Sequence, residues 1–399
     1  MLHLVALSFD HRVGNQVDKV YPPFPDEPYV EDWNQGLPFI GIPDKAHDAY
    51  SSAIQFTLPD PHQPCGCVFG LSAYRAIDTT DLNSSQNYLR NQVQKALCVI
   101  SSIPLYGELE KPLKTALFDH FDSLVDNMEK IFESLKELCL NPTPFSGISY
   151  TSLFQSIGPN VLLIIKALFL QKRILFFADN SELVSKMVMA IGSLLPDFLY
   201  DSKNDDERFP FTFLDKGSNR FAFAPYVPLQ FTETLNNSGS KAALMGTCSE
   251  LFMVQKIVTY DILVNCRTMP ATITGDISDV KIQENEEKFM KNFLNYLKKN
   301  WTKDTTSKWI RDQFEIWMNS MITAILRVRH ISEIPAFARI YLDWDSSYVF
   351  GEKFMKNLIL SPDIDAIIKN NNVDRFSPVD ENLIKKPKST LDQFRSLFK

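Results

Sequence analysis

A chain of 399 residues has room for two or three domains with substantial cores, and 45% hydrophobic against 22% charged residues is the balance of a folded globular protein, so wholesale disorder is excluded. The formal charge of −7 argues against nucleic acid as a partner, because that binding rests on a basic surface that displaces counterions. Six cysteines are scattered; only Cys65 and Cys67 lie close together, and with no second ligand pair near them or His62 the expectation is of thiols in a reducing cytosol, without zinc.

Met1 to Phe9 is apolar but has no basic start, so it reads as a strand of a hairpin and not as a signal peptide. A turn at Val13–Gln16 returns the chain through Val17–Tyr21, which Pro22 and Pro23 end. Leu37–Ile42, Ile54–Leu58 and Cys67–Ser72 read as further strands, the first closed by a turn at Pro43–Ala46. From Tyr88 the period changes. Leu89, Val93, Ala96, Leu97 and Ile100 predict one stripe of an amphipathic helix ended by Pro104. Leu113, Leu117, Phe121, Leu124, Met128, Ile131, Leu135 and Leu138 predict a longer helix, and Asn141-Pro142-Thr143-Pro144 reads as a linker.

The stretch Leu153–Tyr200 is the element around which the rest is expected to be organised. Val161–Ile165 and Ala167–Leu170 predict a helix buried on several faces, Ile174–Phe177 a strand, and Leu183–Leu195 a second helix, capped by Asn180 or Ser181 and stopped by Pro196. Lys166, Lys172 and Arg173 interrupt this run well short of the roughly 20 apolar residues a bilayer needs, so a protein core is expected there. Phe211–Leu214, Arg220–Ala224 and Leu251–Val254 read as strands of an alternating α/β domain ending near Gly275. Helical stripes follow at Phe289, Phe293 and Leu297, then at Ile310, Phe314, Trp317, Met321 and Ile325. In the tail, Lys385, Lys386, Lys388, Arg395 and Lys399 flank Leu391, Phe394, Leu397 and Phe398, a basic amphipathic pattern suited to an anionic membrane surface or to a docked helix. The divisions expected are 1–145, 146–275, 276–375 and 376–399.

No phosphate-binding Gly-rich loop, dinucleotide fingerprint, nucleophile elbow or zinc-protease helix occurs, so no cofactor is expected and the residues alone give no reaction. A resemblance supplies more. Leu4–Pro23 (VALSFDHRVGNQVDKVYPP after the leucine), Leu37–His47 (LPFIGIPDKAH), Val68–Ile77 (VFGLSAYRAI), Val93–Gly107 (VQKALCVISSIPLYG), Leu168–Phe177 (LFLQKRILFF), Phe213–Gln230 (ending in APYVPLQ) and Trp309–Leu326 resemble, in order, segments of DENN-domain proteins. The branch they resemble is the Avl type of the late secretory pathway, with a short acidic loop at Ser202–Arg208 where that branch has a long insertion.

The resemblance implies an α/β fold with a longin-like N-terminal module, a central α/β DENN module and C-terminal helices. It implies a Rab-type small GTPase bound between the first two modules, and guanine nucleotide exchange with no covalent chemistry. Tyr74, Arg75, Arg90 and Asn91 are the residues expected to meet the GTPase; Arg90 also lies where divergent DENN proteins resembling folliculin carry an arginine finger for GTP hydrolysis. Asp44 is expected to cap its turn, His47 to pack structurally, and Tyr106 to anchor between modules. Three readings stand side by side: an exchange factor, a GTPase-activating protein using Arg90, and a non-catalytic scaffold that binds a GTPase or a membrane. Each would act from the cytoplasm, recruited to Golgi-derived or endosomal vesicles.

Overall fold

The computed structural model describes residues 2–25, 27–44, 50–59, 67–79, 92–140, 143, 145–148, 150–195, 223–237, 243–255, 257–300, 306–330 and 350–360. The chain forms two compact units: Met1–Ser156 with Gln171–Ser193 and Phe213–Gly275, and Ile157–Leu170 with Leu194–Thr212 and Asp276–Lys399. The change to helical composition after Asp276 falls on a unit boundary, whereas the proline-rich segment near residue 145 lies inside the first unit.

In the first unit, β1 (His3–Asp10), β2 (Gly14–Tyr21), β3 (Ser51–Pro59), β4 (Cys67–Asp78) and β5 (Gln92–Ser101) form an antiparallel sheet in the order β2-β1-β5-β4-β3. The opening hairpin is present as the sequence predicts, but its turn is at residues 11–13 and Gly14–Gln16, expected in the turn, already belong to β2. β5 differs in type: the predicted helix through Val93–Ile100 is the central strand, paired with β1 and β4. Ala96 to Ile100 are all at most 1% exposed, and a strand buried on both faces shows no period of two that would distinguish it from a buried helix. The predicted strand Leu37–Ile42 is also corrected. It is the end of helix α1 (Glu27–Gly41), whose buried Trp33, Leu37 and Ile40 follow helical spacing. α1 lies against the sheet where Ser72 Oγ donates to the Gly41 carbonyl at 2.9 Å; a Cβ at Gly41 would sit 2.3 Å from Leu7 Cδ1, so only glycine permits this approach.

The single long helix predicted over Leu113–Leu138 is two, α2 (Tyr106–Asp119) and α3 (Met128–Leu138). Its apolar stripe survives the break, since Phe121 and Leu124 stay buried in the connection, while Leu138 is half exposed. α4 (Tyr150–Ile157) and α5 (Asn160–Phe169) precede β6 (Arg173–Phe177) and α6 (Ser181–Leu194), so the central helix, strand and helix are as expected. The rest of the first unit is β7 (Phe223–Ala224), a tight turn at Leu229–Phe231, α7 (Thr232–Asn237), β8 (Ala243–Thr247), α8 (Leu251–Val254), β9 (Ile262–Asn265) and β10 (Thr272–Gly275). Leu251–Val254, predicted as a strand, is thus one helical turn; a four-residue apolar run carries too little pattern to separate the two. The predicted strand at Phe211–Leu214 lies outside the described residues. The second sheet runs β10-β9-β6-β8-β7, with β6 parallel to β8 and β9 and only β10 antiparallel. β6 and β8, at its middle, are buried almost throughout, as strands covered on both faces are, whereas β10 at the edge is largely exposed.

Side chains of α6 close the free edge of the first sheet. The β3 amides of Ala53 and Gln55 donate to Glu182 Oε2 at 2.7 Å and Ser185 Oγ at 3.2 Å, and Thr57 Oγ1 donates to the Phe223 carbonyl at 3.3 Å. An edge strand with unpaired amides is an open template for another chain, and here that template is filled. Burial pushes the Glu182 carboxyl up, but Lys186, Lys114 and the Ala53 amide together hold it below the usual carboxylate value. The unfolded chain therefore takes up this proton first, and the contribution of Glu182 is present above its ordinary pKa and lost as pH falls through the lowered one. The stability advantage of wild type over Glu182→Gln should be full above about pH 5 and shrink below about pH 4 in denaturant midpoints. A gap that does not change with pH would refute this.

The second unit contains α5, α9 (Glu284–Asn300), α10 (Thr306–Arg329) and α11 (Glu352–Ile359). Phe293 lies 5.4 Å from Trp309 and 5.5 Å from Phe314, and Trp317 lies 6.2 Å from Phe350, so α9, α10 and the turn before α11 share one aromatic core. Inside this core is a buried ion pair, Lys166 Nζ to Glu286 Oε2 at 2.9 Å, both 0% exposed. The other two ammonium protons of Lys166 go to the carbonyls of Lys281 at 3.0 Å and Phe350 at 2.8 Å, and the Phe354 ring lies 4.8 Å from Nζ. Burial drives the Lys166 amine down and the Glu286 carboxyl up, each opposed by the charge of the other. Among the described residues no single helix is long and apolar enough to cross a membrane.

Candidate functional site

Tyr74 and Arg75 cannot serve one interface. Neighbours in a strand point to opposite faces, and Tyr74 shares its face with Ser72, on the side where Gly41 packs; Tyr74 is 1% exposed, and burial holds its hydroxyl well above the usual range. As a contact for a GTPase, Tyr74 is corrected to a core residue. Arg75 lies within β4 and not beyond it, on the other face, half-buried with its guanidinium 4.0 Å over the Phe118 ring. Lys95, its partner in register, donates to the Phe121 carbonyl at 2.7 Å. Arg90, Asn91, His47, the zinc-weighed His62 and Cys65, and the tail residues Lys385, Lys386, Lys388, Phe394 and Arg395 lie outside the described residues.

Open parallel sheets commonly take ligands at the carboxyl ends of their strands. Here those ends are occupied by the protein's own charges: Arg267, after β9, pairs with Asp179 and Glu250, after β6 and β8, and lies 4.7 Å over the Phe177 ring. Its guanidinium is spent on two carboxylates, which does not make an anion site.

In the first unit an open groove of about 630 Å³ lies between β2 with α1 and the turn that follows β7. One wall is Asn15, Gln16 and Val17 of β2 with Asn34, Gln35, Pro38 and Phe39 of α1; the other is Gln230 and Phe231, in the turn after β7. Phe39 and Phe231 meet edge to face across it at 6.4 Å. What sets the two walls relative to each other is Asp44. Its amide donates to Tyr226 Oη at 2.7 Å, its Oδ2 accepts from the Leu229 amide at 2.8 Å, and its carbonyl accepts from Cys248 Sγ at 3.5 Å. Asp44 thus clamps the end of α1 to the turn bearing Phe231 across 185 residues of sequence, while part of the Pro43–Ala46 turn it is expected to cap lies outside the described residues. Tyr226, buried, has its hydroxyl held far above its usual range by that burial, so it stays a neutral acceptor.

The opposite wall is itself placed by glycine. Pro225–Val227 crosses β8 at Gly246, where the Val227 amide donates to the Gly246 carbonyl at 2.7 Å and a Cβ would lie 2.3 Å from the Pro225 carbonyl oxygen. Tyr106, expected to anchor between modules, is buried and donates to Met189 Sδ of α6 at 3.5 Å. Sequence reading did not single out the groove residues. Uncharged amides belong to no catalytic pattern, and the family-like segment Ala224–Gln230 was the one signal that pointed to this wall.

Among the described residues that line the groove, none is a nucleophile or a general base. A model of the family described as transport protein Avl9 matches residues 1–210 and 203–325. The late secretory pathway protein avl9 of Schizosaccharomyces pombe is 27% identical over 377 residues, covering 82% of this chain and 76% of that one. The late secretory pathway protein AVL9 of Saccharomyces cerevisiae is 22% identical over 394 residues, covering 81% of this chain but only 51% of that protein, so the match spans about half the length of this relative. With the family model matching well over half of its length, on an α/β fold of two sheets and packed helices, the chain belongs to the Avl9 transport-protein family.

Proposed function

We propose that this protein acts in vesicle traffic of the late secretory pathway by binding a Rab-type small GTPase in the groove between β2 with α1 and the turn that follows β7, and releasing the bound guanine nucleotide. Family membership and the names of the two relatives support the pathway. The observation that carries the reading is the groove itself, walled by β2 and α1 on one side and the Gln230–Phe231 turn on the other, with Asp44 holding the two together. Exchange needs no reacting side chain. It needs a surface that fits the nucleotide-free GTPase better than the loaded one, because a ligand shifts an equilibrium only by its differential affinity for the two states. A groove held by main-chain and side-chain contacts offers a surface on which such a difference can act, and the described lining, with no nucleophile or base, is consistent with such work.

The test is release of a fluorescent GDP analogue from a panel of purified Rab proteins, with and without this chain and with and without anionic vesicles. Acceleration of one or two Rabs by about tenfold or more, equivalent to about 1.4 kcal/mol of barrier, is the expected result. A further gain on vesicles that depends on residues 376–399 would bear out recruitment through the basic tail. Binding without acceleration for any Rab would replace exchange with the scaffold reading.

A further inference from the structure

The lining of the groove specifies how its occupant is read. Of the nine residues that form it, five are carboxamides: Asn15, Gln16, Asn34, Gln35 and Gln230. The other four are Val17, Pro38, Phe39 and Phe231, so among the described residues the lining carries no charge. Two of the amides are used internally: Asn15 Nδ2 donates to the Ile42 carbonyl at 3.4 Å, and Gln16 Nε2 donates to Asp18 Oδ1 at 3.0 Å and Ser8 Oγ at 3.4 Å. Asn34, Gln35 and Gln230 make no side-chain hydrogen bond among the described residues, and Asn34 Oδ1 is shielded from solvent with no donor facing it. A shielded acceptor left without a donor costs about 1–3 kcal/mol.

A carboxamide has the same inventory as a peptide group, an N–H donor beside a C=O acceptor. A row of them along a groove is complementary to extended main chain, whose donors and acceptors alternate, and offers no cation to a phosphate or a carboxylate. β2 adds to this. It is the terminal strand of the first sheet, and the groove runs along its first residues, Asn15–Val17. The bulge after Val17, where Asp18 has no partner on β1, limits any added strand to this short stretch. Phe39 and Phe231 supply apolar area for the side chains that such a segment turns inward.

We infer that the groove binds an extended, uncharged polypeptide segment through its main chain, read by Asn34, Gln35 and Gln230, and that in the cell this segment belongs to the bound GTPase. The inference rests on the reading above only for which protein supplies the segment; that the groove recognises main chain stands on its lining.

The experiment uses the full chain and a displayed library of decapeptides that includes both charged and uncharged sequences. The best binder is synthesised with capped ends and titrated calorimetrically at about 50 and 500 mM NaCl. Selection of uncharged sequences, with Kd changing less than about twofold between those salt concentrations, is expected, because a neutral interface releases no counterions. Asn34→Leu and Gln230→Leu, on different elements, should each weaken binding about tenfold or more, and N-methylation of the central peptide amides should do the same. Binders that are charged and salt-sensitive, binders indifferent to both substitutions and to N-methylation, or no binder at all would overturn the inference. A positive result here alongside a panel in which no Rab binds the chain would leave the groove's chemistry intact and remove the GTPase as its source.

Discussion

Lys166→Met should destabilise the second unit by about 3–5 kcal/mol, the range found when one partner of a buried ion pair is removed. The geometry leaves Glu286 no alternative. Its Oε2 accepts from Lys166 and from the Gln283 amide at 2.9 Å, its Oε1 already lacks a donor, and neither residue is exposed to water. Without the ammonium, the carboxyl must take up a proton or remain as an uncompensated buried charge. Two carbonyls, of Lys281 and Phe350, lose their donor at the same time, so the start of α9 and the turn before α11 are released together. Urea unfolding followed by tryptophan fluorescence is a suitable readout because Trp301, Trp309, Trp317 and Trp344 all belong to this unit. Lys166→Met with Glu286→Leu should recover most of the loss, since an apolar pair of similar volume often matches a buried ion pair. A single variant within about 1 kcal/mol of wild type would show that the pair is not the constraint described here.

Gly246→Val should cost about 3 kcal/mol, the upper end of what overpacking does, and should also disable the groove. The added Cβ would meet the Pro225 carbonyl oxygen at 2.3 Å, Val184 Cγ2 at 3.0 Å and Val188 Cγ2 at 3.1 Å. The two valines can adjust by a few tenths of an ångström, but the Pro225 carbonyl is backbone and moves only with Tyr226 and Val227. That displacement carries Tyr226 away from the Asp44 amide and breaks the bond from the Val227 amide to the Gly246 carbonyl. Folded Gly246→Val protein, isolated at low temperature, should therefore bind groove ligands and release GDP more weakly than wild type by about tenfold, while Gly246→Ala falls between. Full groove activity in a Val variant of lowered stability would separate the glycine from the clamp and refute the link.

Much of the fold was legible from residues alone, and the failures have separate physical causes. The hairpin at Leu4–Tyr21 is there, with its turn ahead of the predicted place, and the central helix, strand and helix announced themselves through length and apolar density. β5 and the end of α1 were exchanged in type because both are buried on more than one side, and a residue sequence with no polar face carries no period. Tyr74 was paired with Arg75 because they are adjacent, although adjacency in a strand separates side chains. The groove was least legible. Its walls are 182 to 185 residues apart in sequence where Asp44 joins them, and its lining of amides resembles any polar surface until the fold brings five together. The segment Ala224–Gln230 was recognised by likeness, and only the structure gives its reason: it must pass over a glycine to reach the clamp.

The closure of β3 by α6 bears on the order of events during synthesis. When residues 51–59 leave the ribosome, the amides of Ala53 and Gln55 have no partner in anything yet translated; Glu182 and Ser185 come about 130 residues later. At about 5–20 residues per second, the nascent chain carries an unpaired strand edge for roughly 6–26 seconds, the interval in which such edges pair with other chains.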